Sequence, residues 1–550
     1  MTYSSDSAYA AEAGAARAPE KSYSEKHAVA ITEDDVPRIS PLLLNIFHIG
    51  ALIAVFAAAL EAVIPASFFT QAVEPWGVSV SSLWMLASYL IGYVSFVLPT
   101  LRISDVFGRT VTFWFGIALF AVFTGVSGNA SSALQFAVLR AFQGVGAAII
   151  ASVSVQVVAA QTSERSRPLF VGALAAAQLF GVGAAHIIGG KLAVQDHFRW
   201  AIYLAAPLIA APAVLCTPAL IRLDQQSCSR QQQRDSLVSR LLRYDYIGTL
   251  LLLGAAIMLT TGLTFGGNEH GWSSVTTLCL IIFGAVSAVL FLLWEKFGAS
   301  HPIFNTLWLR ERNLQISMVS VLLIAMTFFA NAVYVPIMYL TARTKTTDIA
   351  GRMSAPYWGA SLGAALLAGL AIRARPGLAR PLIWTGLVLG AVFAGLFYTI
   401  ELKPDSLVRE RAFYAVAGVG VGLAYPAVLY MAQISVPREE SGPAAAVAHF
   451  LSIVGGMLGL ILYQACLKSR LIINLTPIFA QSTFLSSFHI STMDVAGLEM
   501  SGETMLNYEP KLADEIGNKM MDSLHTTYII TVPLLGTALL ASLLYKHHTS

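Results

Sequence analysis

Arg140 stands in Leu139-Arg-Ala-Phe-Gln-Gly-Val-Gly-Ala-Ala148, inside an apolar run from about 133 to 160. An arginine placed there costs about 2.5 to 3.5 kcal/mol to insert into hydrocarbon, so it should face a protein interior or a water-filled cavity and mark a pathway. Glu61 lies near the middle of another apolar run, 44–71. Loss of hydration favours the neutral form of a lone carboxyl in such a place, which suits it to carry a proton. Glu61 and Arg140 are expected to share one cavity, with Gln143 beside them. His186, an imidazole in the run 168–190, and Asn331, in the run 315–340, complete the candidates for proton coupling or a central cavity. The plainer readings are that Arg140 snorkels to the headgroups and that Glu61 and His186 are bonded to neighbours for structure alone.

The elements that must hold these residues are membrane helices. Hydrophobic residues make up 56% of the 550 and charged residues only 12%, and the mean hydropathy of +0.67 is too high for a soluble domain. Fourteen apolar runs long enough to cross a bilayer recur from 44–71 to 526–545. Small residues then become informative. Gly144 and Gly146 thin one side of the Arg140 helix, and Gly181, Gly183, Gly189 and Gly190 do so in the fifth run, so neighbouring helices can approach closely.

The connections set the organisation. Residues 1–43 are Ala/Ser/Glu/Lys-rich and are expected to form a disordered cytoplasmic tail without a cleaved signal. Residues 44–221 form a first group of six helices, 222–245 a polar cytoplasmic linker, 246–295 two further helices, and 296–545 a second group of six. Within the last group, 468–525 reads as a long extracellular loop with parts able to lie on the membrane surface. Lys and Arg favour the loops on the N-terminal side, which is therefore expected to be cytoplasmic. Two glycosylation triplets, at Asn129 and Asn474, then fall outside. The net charge of +3 is small and dispersed, which argues against nucleic-acid binding. Cys216, Cys228, Cys279 and Cys466 show no disulfide or metal pattern. No phosphate-binding Gly-rich loop, Ser/His/Asp set or His/Cys cluster is present, so no enzyme activity, cofactor or direct ATP drive is expected.

Between the second and third runs the chain reads Leu101-Arg-Ile-Ser-Asp-Val-Phe-Gly-Arg-Thr110. Asp105 is placed to pair with Arg109 or to cap the next helix, and Gly108 permits a tight turn. This segment, with Arg102, Asp105, Gly108 and Arg109, resembles the Gly-x-Leu-x-Asp-Arg-x-Gly-Arg-Arg loop of the major facilitator superfamily. The Arg140 stretch is similar to that superfamily's fourth-helix motif. Ala185-His-Ile-Ile-Gly-Gly190 resembles the fifth-helix antiporter motif, with His186 in place of its proline, and Leu60-Glu61 stands where drug:proton antiporters carry Leu-Asp. The inserted pair 246–295, opened by Asp245-Tyr-Ile-Gly248, looks like that of the fourteen-span drug:proton antiporters, and the tail and long loop look fungal.

The resemblance implies an all-α membrane protein with the major facilitator fold, two six-helix bundles plus two extra central helices. It implies that the 101–110 loop controls the conformational switch. The expected function is proton-coupled export of small, fairly apolar organic compounds, such as drugs or secondary-metabolite toxins, by alternating access. The expected partners are a small-molecule substrate, protons and the lipid bilayer, around a monomer in the plasma membrane or else a vacuolar or other internal membrane. A proton-coupled importer, for instance of siderophores, or a transporter-like sensor are the alternatives.

Overall fold

The computed structural model describes residues 39–68, 82–194, 197–228, 237–242, 244–266, 271–299, 311–343, 345–401, 407–481 and 510–546. Most of the expected tail, part of the linker and residues 482–509 of the expected long loop lie outside the described residues.

The first six spans are α1 (Pro41–Val63), α2 (Ser82–Val97) with α3 (Pro99–Phe107), α4 (Arg109–Ser127), α5 (Ala133–Gln161), α6 (Arg167–Val194) and α7 (Phe198–Tyr203) with α8 (Ala205–Cys228). A short linker helix, α9 (Leu237–Leu242), precedes the inserted pair α10 (Tyr246–Phe265) and α11 (Val275–Phe297). The second group comprises α12 (Arg312–Leu340), α13 (Thr347–Ala374), α14 (Ala379–Leu396), α15 (Leu407–Ile434), α16 (Ser441–Gln481), and α17 (Pro510–Tyr528) with α18 (Thr531–Ser542). Thirteen helices are long and apolar enough to cross a membrane, and fourteen spans result if the bent pair at α2 and α3 counts as one. That pair bends by 54° because Pro99 cannot donate the hydrogen bond that would continue α2 and its ring clashes with the preceding turn. The end of the bundle bearing the α3–α4 and α15–α16 connections is called the inner end below.

Three expectations about connections change. The 101–110 segment is the helix α3, ended at Gly108, whose φ of +89° only glycine adopts at little cost. The polar linker begins later than residue 222, since α8 runs to Cys228. The segment 468–525 is not one loop: α16 continues to Gln481 and α17 begins at Pro510. At 41 residues, α16 reaches roughly 60 Å, twice the roughly 30 Å hydrocarbon thickness, so its outer part projects beyond the bilayer. There Leu471 and Leu475 of α16 are buried with Ile516 and Met520 of α17, and Asn474 donates to Ser523 at 2.8 Å.

Close helix approach places the site. A Cβ at Gly144 would collide with the backbone of Tyr89 and Tyr93, and one at Gly146 with Phe120 and Gly116. The helix carrying Arg140 is therefore pressed between α2 and α4. The two halves meet where α6 lies along α13 and α16 lies against α2 and α5. The inserted pair packs on itself and, through α10, on α2.

Candidate functional site

Glu61 is close to the end of α1 and Arg140 is in the second turn of α5, so the two meet toward the outer end rather than at mid-depth. Arg140 Nη1 lies 2.6 Å from Glu61 Oε2, and both side chains are 0% exposed. Arg140 Nη2 donates to the Glu61 carbonyl at 2.5 Å and Nη1 also donates to Gln143 Oε1 at 3.1 Å. Gln143 Nε2 closes the ring, donating to Glu61 Oε2 at 3.1 Å and to Thr124 Oγ1 of α4 at 2.7 Å. The Tyr89 ring covers the guanidinium at 4.6 Å, and the Tyr89 hydroxyl donates to the Ala58 carbonyl. Arg140 therefore turns inward and does not snorkel. Glu61 is not a lone carboxyl, because the guanidinium of α5 reaches it across the close-packed α1–α5 contact.

One polar knot thus ties α1, α4 and α5. Glu61 Oε1 has no hydrogen-bond partner. In the low dielectric of the interior the charged pair attracts strongly, but each ion has lost its hydration, so the two contributions nearly balance. A proton on Glu61 would cancel the attraction and leave the Arg140 charge without a counter-ion.

His186 and Asn331 are not part of this knot. His186 Nδ1 faces the Val182 carbonyl at 2.8 Å, and its ring lies parallel to Trp358 of α13, 6.1 Å between centroids and 7° between planes. Asn331, on α12, donates to the Tyr357 hydroxyl at 3.4 Å inside the second half. The α6 glycines divide between two faces. Gly181 meets α1 at Phe56 and Gly189 meets Ser67 in the turn that follows α1, while Gly183 and Gly190 meet α13 at Trp358 and Thr347. One helix therefore connects the Glu61 helix to the opposite half.

At the inner end Arg102 pairs with Asp105 at 3.4 Å, and the Arg109 charge also acts on the Asp105 carboxylate. The free N–H groups at the start of α4 are capped by Asp224 of α8, which accepts from Arg109 N at 3.0 Å and Thr110 N at 2.9 Å. The cap therefore comes from the sixth span, 114 and 115 residues further along the chain. Arg240 of the linker helix α9 donates to the Val106 carbonyl at 2.9 Å. The 101–110 turn is thus held by two distant segments.

The sequence reading missed a second buried ion pair. Arg343 donates to Glu410 with Nη1 at 2.8 Å and Nη2 at 2.6 Å, and the Tyr339 hydroxyl donates to the same carboxylate at 3.1 Å. It joins the first and fourth helices of the second half, as Glu61–Arg140 joins those of the first, with acid and base exchanged. Both residues sit just outside the apolar runs, at span ends, where a charge is unremarkable. Of the glycosylation candidates, Asn129 is exposed and its amide bonds to the Gly125 carbonyl. Asn474 is half-buried in α16 with its amide engaged by Ser523.

Between the halves a cavity of about 40 Å³ is lined by Val55, Val155, Gln178, Tyr425, Gln433 and His449, among others. It has room only for water-sized occupants. Gln178 of α6 accepts from Tyr425 of α15 at 3.1 Å, and Tyr93 of α2 bonds His449 of α16 at 2.9 Å. On the inner side Ser441 donates to the Ala159 carbonyl at 3.3 Å. The halves are closed on each other.

Residues 50–310 match the model of the Major Facilitator Superfamily. The chain carries a major facilitator domain. MFS transporter L2 of a Phoma species is 25% identical over 89% of this chain and 80% of its own length. The MFS-type efflux pump MFS1 of Trichophyton rubrum is 24% identical over 81% of this chain and 82% of its own. The efflux pump FUS6 of Gibberella moniliformis is 24% identical, covering 82% and 78%. Among solved structures, a bacterial homologue of the human lysosomal transporter Spinster, inward-facing and occupied, aligns with a TM-score of 0.56 at 12% identity over 92% of this chain and 97% of that one. The human organic anion transporter MFSD10 gives 0.51 at 12% identity over 90% and 100%. The fold is that of the major facilitators, and the protein is a multi-pass membrane transporter rather than an enzyme.

Proposed function

We propose that this transporter exports small, fairly apolar organic compounds across the plasma membrane in exchange for protons. The observation that carries the reading is the fully buried Glu61–Arg140 pair with one unpartnered carboxylate oxygen. It is a proton acceptor whose charge state sets how firmly α1 holds α5. Protonation at Glu61 weakens that hold, and α6, packed on α1 by one face and on α13 by the other, passes the change to the seam between the halves. The seam then opens on one side while the other stays shut, the alternating access expected of two-bundle transporters. Asp224 and Arg240 secure the 101–110 turn at the inner end and release it as the halves separate. The efflux direction is supported by the relatives that bear the name of efflux pumps.

The test is the steady-state level of a fluorescent drug panel in efflux-deficient yeast expressing the protein, with and without a protonophore. Lowered accumulation that the protonophore abolishes supports the reading. Raised accumulation on expression would replace export with import.

A further inference from the structure

The proton pair accounts for the drive and leaves open what is carried. We propose that the cargo is an uncharged, flat, conjugated ring system bearing a carbonyl and a hydroxyl, and that it is clamped between His186 and Trp358. This rests on the transport reading above and adds the chemical class of the substrate.

Three observations converge. First, His186 and Trp358 belong to opposite halves and lie near-parallel, with 6.1 Å between ring centroids and 7° between planes. A flat ring stacks at about 3.5–4.0 Å from each wall, so roughly 7–8 Å between the walls would admit one. Because the two rings sit on opposite halves, separation of the halves is what opens that width between them. Phe328 meets Trp358 edge-on at 5.5 Å and lies parallel to Tyr425 at 6.4 Å and 9°, which extends the aromatic wall to the cavity between the halves.

Second, the slot and the cavity hold unused hydrogen-bonding atoms. Trp358 Nε1 and Gln433 Oε1 are buried without hydrogen-bond partners. One indole donor and one amide acceptor match a ligand with a carbonyl and a hydroxyl. Unmet buried polar atoms are costly, and a ligand that satisfies them gains what the closed protein forgoes.

Third, charge is excluded. Among the described residues, the cavity lining and the ring cluster contain no Asp, Glu, Lys or Arg. Glu61 and Arg140 answer each other, so neither is free to hold an ionic ligand. A flat cation or anion would enter without a counter-charge.

The test uses binding to the purified full-length protein in detergent, read by tryptophan quenching and by equilibrium dialysis. The probes are quinizarin (a neutral dihydroxyanthraquinone), ethidium (a flat cation), anthraquinone sulfonate (a flat anion) and androstanediol (a neutral saturated diol). Quinizarin is expected to bind best. Trp358→Ala should weaken it by at least the about 2- to 13-fold that one aromatic stack supplies. Trp358→Phe, which keeps the ring and removes only the indole donor, should retain stacking and lose the preference for quinizarin over unsubstituted anthracene. Ethidium or androstanediol binding as tightly as quinizarin, or Trp358→Ala leaving quinizarin affinity unchanged in a folded protein, overturns the proposal. If ethidium is exported in a protonophore-sensitive way while quinizarin does not bind, the substrate class fails and the proton-coupled reading stands. If quinizarin binds as expected and no compound moves in cells, the coupling reading fails.

Discussion

Removing one member of the Glu61–Arg140 pair and removing both should have opposite consequences. Arg140→Met leaves the Glu61 carboxylate at 0% exposure without a counter-ion, and Glu61→Leu does the same to the guanidinium. Either single change should destabilise the protein by about 3–5 kcal/mol, the cost of an uncompensated buried charge. The double replacement removes both desolvation penalties and leaves Gln143 Oε1 without its donor from Arg140, a cost of about 1–3 kcal/mol. Apolar replacement of a buried pair offsets this by about 1–4 kcal/mol, so the double variant should be close to wild type in stability. The coupling between the two sites is then about 6–10 kcal/mol in magnitude, well beyond what independent sites show. The assay is the unfolding midpoint of the four proteins in detergent, followed by tryptophan fluorescence, beside their transport in cells. The double variant is expected to be stable and inactive, since nothing remains to titrate. Additive losses, or a single variant as stable as wild type, would refute the reasoning about the pair.

Arg343→Ala should likewise destabilise by about 3–5 kcal/mol by stranding Glu410, whereas Arg343→Met with Glu410→Leu should recover most of that loss in the same unfolding assay. Asp224→Ala should cost about 0.5–2 kcal/mol through lost capping of α4 and should raise protease or thiol-probe access at the 101–110 turn, while Asp105→Ala changes helix capping little. Gly183→Val would drive a side chain into Trp358 at the seam between the halves; transport should fall while expression and membrane insertion persist, as immunoblotting of membranes would register. Glycosidase treatment should shift only protein that carries Asn129, since the Asn474 amide is engaged by Ser523 in α16; a shift retained in Asn129→Gln but lost in Asn474→Gln would contradict this.

What could be read from the sequence, and what could not, follows from the range of the interactions. The all-α membrane fold was legible because apolar runs of bilayer length are a one-dimensional signal, and Arg140 stood out because charge inside such a run is costly. Its partner Glu61 could be suspected for the same reason, and Gln143 lies one turn away. Arg343 and Glu410 escaped because each lies just past an apolar run, where charges are ordinary. Asp224 escaped because its role depends on α8 returning to the start of α4, a contact 115 residues apart. The 101–110 turn looked self-contained for want of that knowledge. The helical character of 468–481 and 510–525 was hidden by mixed polarity, since two helices packed on each other beyond the bilayer carry amphipathic patterns and not uniform apolar ones.

The most direct measurement is substrate-driven proton movement in proteoliposomes. Wild-type protein and Glu61→Gln would be reconstituted with a pH-sensitive dye inside, and a compound already shown to be exported by cells would be added on one side. The account predicts that wild-type protein moves protons opposite to the compound and that Glu61→Gln moves none while still binding the compound. Wild-type rates of coupled proton movement in Glu61→Gln would contradict it.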